Sequence, residues 1–381
     1  MRDVMDPLMS WWAEGKAAAL ATVVATHASA PRRPGASMLV GPGGEAVGSV
    51  SGGCVESAVY ELGQEALVGA RPVLQRYGVS DGDAFAVGLT CGGTLDVFVE
   101  RIDPETFPQL GEVVETVRAG RPVAVATVIA GPPERLGRRM LVRPDRVAGG
   151  TGSERLDRLV RHDARGLLDA GRSTVLRYGA DGACRAEDLD VPGAGLRVFV
   201  ESFAPQPRMI VFGAIDFAAA LARTGSLLGH RVTVCDARPV FATAARFPGA
   251  DEVVVEWPHR YLRAEAEAGR IDSRTVLCVL THDPKFDVPL LEVALRLPDV
   301  GYIGAMGSRR THQDRWNRLT EAGLTEAELK RLCSPIGLDL GARTPEETAV
   351  SIAAEIIALK GGGSGLRLAD RPGTIHPDAG L

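Results

Sequence analysis

The sequence predicts an α/β protein: an N-terminal α/β domain with an internal duplication, followed by a C-terminal Rossmann-like doubly wound parallel sheet. Three observations predict it. Apolar, strand-like segments recur in the same order about a hundred residues apart. Pro205-Gln206-Pro207 then interrupts the chain as a linker. Beyond it, short apolar runs alternate with helical patterns at the spacing of βαβ units.

The duplication is read from paired segments. Ala19-Leu20-Ala21-Thr22-Val23 matches Ala124-Val125-Ala126-Thr127-Val128, and Met38-Leu39-Val40 matches Met140-Leu141-Val142. Leu74-Gln75-Arg76-Tyr77-Gly78 matches Leu176-Arg177-Tyr178-Gly179, and Leu95 to Glu100 matches Leu196 to Glu201. Aligned through Val47 and Val147, Cys54 falls opposite Glu154, and Cys91 opposite Pro192. The fold can therefore be built without these thiols, which marks them as candidates for chemistry.

Each element has a local reason. Asp6-Pro7 starts a short helix, with Asp6 as its cap, an apolar face of Leu8, Trp11 and Trp12, and Gly15 at its end. The first repeat, to residue 104, reads strand, loop, strand, glycine loop, helix, strand, strand. Its helix follows Cys54, because Val55, Ala58, Val59, Leu62 and Ala66 fall at helical spacing. The second, degenerate repeat covers 105–204 and is entered by a helix around Val113–Val117. The two copies form a pseudo-twofold domain, with either a shared sheet or a packed pair. The Rossmann-like domain covers 208–360. It starts with the strand Arg208–Phe212 and the turn at Gly213, then a helix over 218–228 and a strand over Arg231–Asp236. Apolar runs at 252–255, 275–280 and 300–304 continue the sheet. Thr344-Pro345-Glu346-Glu347 is a capping box for the last helix, which Gly361-Gly362-Gly363 ends. Residues 361–381 are expected to be a flexible tail.

Composition bounds the function. The 381 residues are 45% hydrophobic and 24% charged, which suits a soluble globular protein of roughly two or three domains. A net charge of −5 argues against a general binder of nucleic acid or of anionic membranes. No apolar run reaches the roughly 20 residues of a membrane span, and the N-terminus lacks the apolar core of a signal peptide, so a cytoplasmic location is expected. The six cysteines, Cys54, Cys91, Cys184, Cys235, Cys278 and Cys333, contain no C-x-x-C pair, so no zinc knuckle or thioredoxin-type motif is indicated. Cys235 and Cys278 lie inside apolar runs and are expected to be core residues.

The richest candidate site is Gly48-Ser49-Val50-Ser51-Gly52-Gly53-Cys54-Val55-Glu56. Glycines there let consecutive N–H groups converge into a nest suited to phosphate or another anion. Cys54 lies just ahead of a helix, whose dipole favours a thiolate. Such a thiol is a nucleophile, a soft-metal ligand or a sulfur carrier. Cys91-Gly92-Gly93 is a second thiol with glycines that allow close approach. Arg32 and Arg33, in a proline-stiffened loop after His27, could grip phosphate or carboxylate.

In the C-terminal half, Gly213-Ala214-Ile215-Asp216-Phe217-Ala218 occupies the place of a dinucleotide fingerprint, with Asp236 placed to meet a ribose. Ile215 replaces the glycine that lets a pyrophosphate approach, which disfavours NAD(P). His282 follows a buried strand on the usual ligand side, and Gly307, Ser308, Arg309 and Arg310 open a helix as an oxyanion or phosphate site.

These segments together resemble the XdhC/CoxI family of molybdenum-cofactor accessory proteins. The resemblance is carried by Ser29 through Gly35, Gly48 through Glu56, Cys91-Gly92-Gly93, Thr281-His282-Asp283, Gly304 with Gly307 through Arg310, and Pro335 to Glu347. It implies a chaperone that binds molybdopterin cofactor, protects it during sulfuration and helps insert it into a xanthine-dehydrogenase-like or CO-dehydrogenase-like apoenzyme. It implies a cysteine desulfurase as a further partner, and it implies an accessory protein rather than the dehydrogenase itself. On this reading Arg32, Arg33, Ser51, Gly52, Gly53, Glu56, Gly92, Gly93, Gly213, Asp236, His282, Gly307, Ser308, Arg309 and Arg310 bind cofactor. Cys54 and Cys91 carry the thiol chemistry, Cys54 as a molybdenum ligand. A homodimer is compatible with the sequence. The family usually reads Gly-Ala-Gly-His at the Rossmann turn, so a nucleotide role is weakened here. Two other readings stay open: an NAD(P)-dependent oxidoreductase, and a cysteine hydrolase with Cys54 as nucleophile and His27 or His282 as base.

Overall fold

A computed structural model describes all residues except 28–31, 70, 79–92, 180–194, 282 and 371–381. The chain divides at Pro205/Gln206 into two compact units. Among the described residues, no helix is long and apolar enough to cross a membrane.

The first unit opens with a 3-10 turn, Arg2–Val4, and helix α1 (Met5–Ala13). The helix begins one residue before Asp6, which is therefore not its cap. Asp6 lies in the first turn and pairs with Arg118 at 2.7 Å. Strands β1 (Ala18–His27), β2 (Ser37–Val40) and β3 (Ala46–Gly48) precede helix α2 (Glu56–Gly69), and β4 (Val73–Tyr77) and β5 (Thr94–Ile102) complete the first repeat. The second repeat follows the same plan, with α3 (Leu110–Arg118), β6 (Val123–Ala130), β7 (Arg139–Val142), β8 (Val147–Gly149), α4 (Glu154–Asp169), β9 (Thr174–Gly179) and β10 (Gly195–Phe203). The sheets have the same antiparallel order, β3-β2-β1-β5-β4 and β8-β7-β6-β10-β9.

The copies are a packed pair, not one continuous sheet. Val24 and Phe98 of the first sheet meet Ile129 and Phe199 of the second in one buried cluster. Helices α2 and α4 cover the opposite faces, through Val59 and Ala66 in one copy and Val160, Ala164 and Leu168 in the other. The order of layers is therefore helix, sheet, sheet, helix. Each large apolar side chain buried fully in these layers contributes roughly 1.5–3 kcal/mol. Below the Phe98/Phe199 layer the charge pairs repeat with a change. Glu100 pairs with Arg139, both buried. Its counterpart Glu201 instead receives the Met1 ammonium at 2.7 Å, which also bonds Ser37, the residue in the register position of Arg139.

Strand pairing also corrects the repeat alignment. Met38 faces Gly48 and Met140 faces Gly149, so Gly48 and Gly149 are equivalent. Counting forward from them puts Cys54 opposite Arg155, not Glu154, and Glu56 opposite Asp157.

The second unit is a six-stranded parallel sheet. It comprises β11 (Arg208–Phe212), α5 (Asp216–Leu227), β12 (Arg231–Asp236), β13 (Glu252–Val255), α6 (Pro258–Glu267), β14 (Val276–Val279), α7 (Pro284–Arg296), β15 (Tyr302–Ala305), α8 (Arg309–Glu321), α9 (Glu326–Leu329), β16 (Leu332–Cys333) and α10 (Pro345–Gly361). The order β13-β12-β11-β14-β15-β16 places the switch point beside β11, where α/β sheets bind ligands. Helices α5 and α10 cover one face, and α6, α7 and α8 the other. The capping box at Thr344 and Glu347 is formed, and Gly362 ends α10 in the left-handed region.

Candidate functional site

The Cys54 turn is built around a carboxylate. Gly52 and Gly53 take positive φ, +82° and +122°, which lets the backbone curl round one point. The Glu56 side chain, at the first position of α2, occupies that point. Its Oε1 accepts from Ser49 Oγ at 2.6 Å, Ser51 N at 2.9 Å and Gly52 N at 3.0 Å. Its Oε2 accepts from Gly53 N at 2.8 Å and Val55 N at 3.2 Å, and from Ser51 Oγ. The nest expected to take an outside phosphate thus holds the protein's own anion. Partial burial would raise the Glu56 pKa, but the bonds from Ser49 and Ser51 outweigh it and bring it down to about 2.

The second copy keeps the device. Asp157 accepts from Thr151 N at 2.7 Å and Thr151 Oγ1 at 2.6 Å. The carboxylate is therefore part of the repeat's architecture, and the thiol is what the first copy adds. Cys54 is a half-buried, reduced cysteine that packs on the cluster containing Val55, Tyr77 and Leu95, and its N–H donates to Ser51 Oγ at 2.9 Å. Burial pushes the thiols of Cys235 and Cys278 up and that of Cys333 up to about 11, so these three stay protonated at neutral pH. Arg32 and Arg33 are exposed on the loop before β2, and Gly93 is buried at the entry to β5. Cys91, Gly92 and the segment 28–31 lie outside the described residues.

In the second unit, Gly213 closes β11 with φ +111°, and a Cβ there would meet Thr281 N at 3.0 Å. Asp236 ends β12, but all its acceptor sites are used. Oδ1 accepts from Arg238 N and Nε, both at 2.9 Å. Oδ2 accepts from Ala214 N at 2.7 Å and Arg238 Nη2 at 2.8 Å. A carboxylate has about four lone-pair sites, so a ribose diol would have to displace one of these donors. Ser308 is the N-cap of α8 and accepts from Thr311 N at 3.1 Å, while Arg309 and Arg310 are exposed in the first turn. His282 lies outside the described residues.

One organising element was not anticipated. Buried Asp287 of α7 and buried Arg315 of α8 pair at 2.9 Å. Asp287 also accepts from Thr281, and Arg315 donates to Met306 O at 2.9 Å and Ser334 Oγ at 3.1 Å. A single ion pair thus ties down the ends of β14, β15 and β16, where the His282, Gly307–Arg310 and Pro335 loops begin. The partners are 28 residues apart, so no local pattern pointed to them.

Fold and site define a class: a duplicated α/β unit with a thiol on a carboxylate-filled turn, joined to a Rossmann-type unit with a non-standard nucleotide turn. Residues 209–356 match the family model for the XdhC Rossmann domain, and residues 11–78 and 116–179 match that for the XdhC and CoxI family. The chain belongs to the XdhC/CoxI family. It is 29% identical to a probable xanthine dehydrogenase subunit of Bacillus subtilis, over 89% of this chain and 92% of that protein. It is 26% identical to the "Molybdenum cofactor insertion chaperone PaoD" of Escherichia coli, over 94% of this chain and 87% of that one. Among solved structures it resembles a xanthine dehydrogenase from Bacillus halodurans, with a TM-score of 0.64, 25% identity, and 97% and 98% of the two chains covered.

Proposed function

We propose that this protein binds molybdenum cofactor and delivers it to an apo-molybdoenzyme of the xanthine-dehydrogenase or CO-dehydrogenase type. The observation that carries the reading is the Cys54 turn: the second repeat keeps its carboxylate anchor and lacks its thiol. Similarity along nearly the whole chain to a molybdenum-cofactor insertion chaperone supports it. Cys54 offers a soft sulfur ligand to molybdenum, and Cys91 is its partner in this reading. Glu56 fixes the turn rather than touching the cargo. A cysteine desulfurase is the further partner, as sulfur donor for the cofactor, and the working location is the cytoplasm. An NAD(P)-dependent oxidoreductase is the weaker reading, because Ile215 stands where the fingerprint has the glycine that lets a pyrophosphate approach, and Asp236 is committed to Arg238 and Ala214.

The test is activation of an apo-molybdoenzyme by purified components. Cys54→Ala is expected to reduce activation to the level seen without the chaperone. Activation equal to that of the unmodified protein removes Cys54 from the mechanism.

A further inference from the structure

The duplication makes two equivalent junctions between the repeats. At each, a glutamate of one repeat reaches a glycine two residues ahead of the second strand of the other. A Cβ on Gly35 would meet Glu201 Oε1 at 3.5 Å, and a Cβ on Gly137 would meet Glu100 Oε2 at 3.5 Å. A cation joins the glycine carbonyl to the glutamate in both. In the first junction it is the Met1 ammonium, 2.6 Å from Gly35 O and 2.7 Å from Glu201. In the second it is the Arg139 guanidinium, 2.9 Å from Gly137 O and paired with Glu100.

The junctions differ in what lies next to that cation. In the first, the turn glycine is covered by a side chain, since a Cβ on Gly48 would meet Val4 Cγ1 at 2.5 Å. In the second, the atoms nearest a Cβ on the equivalent Gly149 all belong to the Arg139 and Met140 backbone. Val4 is the N-cap of α1 and Gln109 that of α3, so Gln109 holds the place of Val4 without covering the glycine. What remains is a cavity of about 400 Å³, a volume in the range of small-ligand sites. Buried Glu100 and Arg139 line it, with Pro72, Pro108 and Leu136 as apolar wall and Arg138 as a further cation.

The charges around the cavity are matched save one. Arg139 pairs with Glu100, and Arg101, also on the wall, pairs with Asp103 at 2.7 Å. Arg138 is exposed and donates through Nε to Glu134 O at 3.1 Å. Among the described residues it has no carboxylate at ion-pair distance.

We propose that this cavity of the second repeat binds a small organic oxyanion, with its apolar body against Pro72, Pro108 and Leu136 and its charged end on Arg138. Carboxylates and phosphate esters share the chemistry, because a guanidinium takes either through forked bonds. The proposal does not rest on the cofactor reading. It gives the repeat that lacks the thiol a ligand of its own.

The test titrates the full chain calorimetrically, at constant ionic strength, with phenyl phosphate and with benzoate. Benzyl alcohol is the uncharged control of similar shape. At least one of the anions is expected to bind saturably with a Kd of about 1 mM or tighter, and benzyl alcohol about tenfold more weakly or not at all. Whichever anion binds more tightly tells a phosphate-ester site from a carboxylate site. Arg138→Ala removes the unmatched charge from an exposed position. Gln109→Phe puts an apolar side chain where Val4 closes the first junction, and Gln109 makes no capping bond that would be lost. Both variants are expected to keep the melting temperature of the unmodified protein and to weaken anion binding by about tenfold or more. No saturable binding of either anion, or unchanged affinity in either folded variant, overturns the proposal.

Discussion

Asp287→Ala is expected to destabilise the C-terminal unit by about 3–5 kcal/mol, because it leaves the Arg315 charge buried without a counter-ion. The loss should concentrate at the carboxyl ends of the strands. Arg315 bonds Met306 O and Ser334 Oγ, and Asp287 holds Thr281, so all three loop bases depend on the pair. Hydrogen exchange measured by mass spectrometry is expected to speed up at 280–283, 305–308 and 333–336 before the rest of the sheet. The double variant Asp287→Leu/Arg315→Met removes both charges together. It should be more stable than Asp287→Ala alone, since an uncompensated buried charge costs more than an absent pair. Exchange unchanged in those three segments would show that the pair does not organise this face.

Glu56 produces the second large effect. Its carboxyl is held near 2 in the folded protein against an ordinary 4.5. A depressed pKa contributes stability that is complete above the unfolded value and lost as pH falls through the folded one. The N-terminal unit should therefore lose stability between pH 4.5 and about 2. The contribution at neutral pH is about 1–3 kcal/mol once solvent screening of a half-exposed carboxylate is allowed for. Glu56→Gln cannot titrate and should abolish that part of the acid dependence while lowering stability at pH 7. Chemical denaturation at pH 3, 5 and 7 reads both. Parallel curves for the two proteins would show that the nest does not hold an ionised carboxylate.

How far the molecule was legible in its sequence varies with the range of the interactions. The Rossmann-like sheet was legible because its signals are local: Arg231–Asp236 is a strand within the predicted bounds, and Thr344 and Glu347 form the box their spacing implies. The duplication was legible from repeated apolar runs, but its geometry was not. Choosing a packed pair over a shared sheet depends on Phe98 meeting Phe199 across the sheets, a contact between residues about a hundred positions apart. Strand β3, only Ala46–Gly48, carries too little pattern to set the register, so the alignment slipped by one residue there. The glycine turn was recognised as an anion nest from backbone considerations alone. Its occupant was not, because Glu56 reads equally well as a favourable first-turn acid until the side chain is seen folding back over Ser51, Gly52 and Gly53. Asp236 is similar: its place at the end of β12 was foreseeable, and its capture by Arg238 and Ala214 was not. Charge pairs such as Asp287–Arg315 and Glu100–Arg139 join distant segments, and no spacing rule exposes them.

We propose that the Cys54 turn holds molybdenum cofactor. It is tested most directly by expressing the full chain in a cofactor-producing host, purifying it anaerobically, and assaying bound molybdenum and pterin beside Cys54→Ala. Glu56→Gln serves as a control that keeps the thiol. Cofactor approaching one equivalent is expected on the unmodified protein and little on Cys54→Ala. Folded, unmodified protein that carries no cofactor, or Cys54→Ala that carries as much, would contradict it.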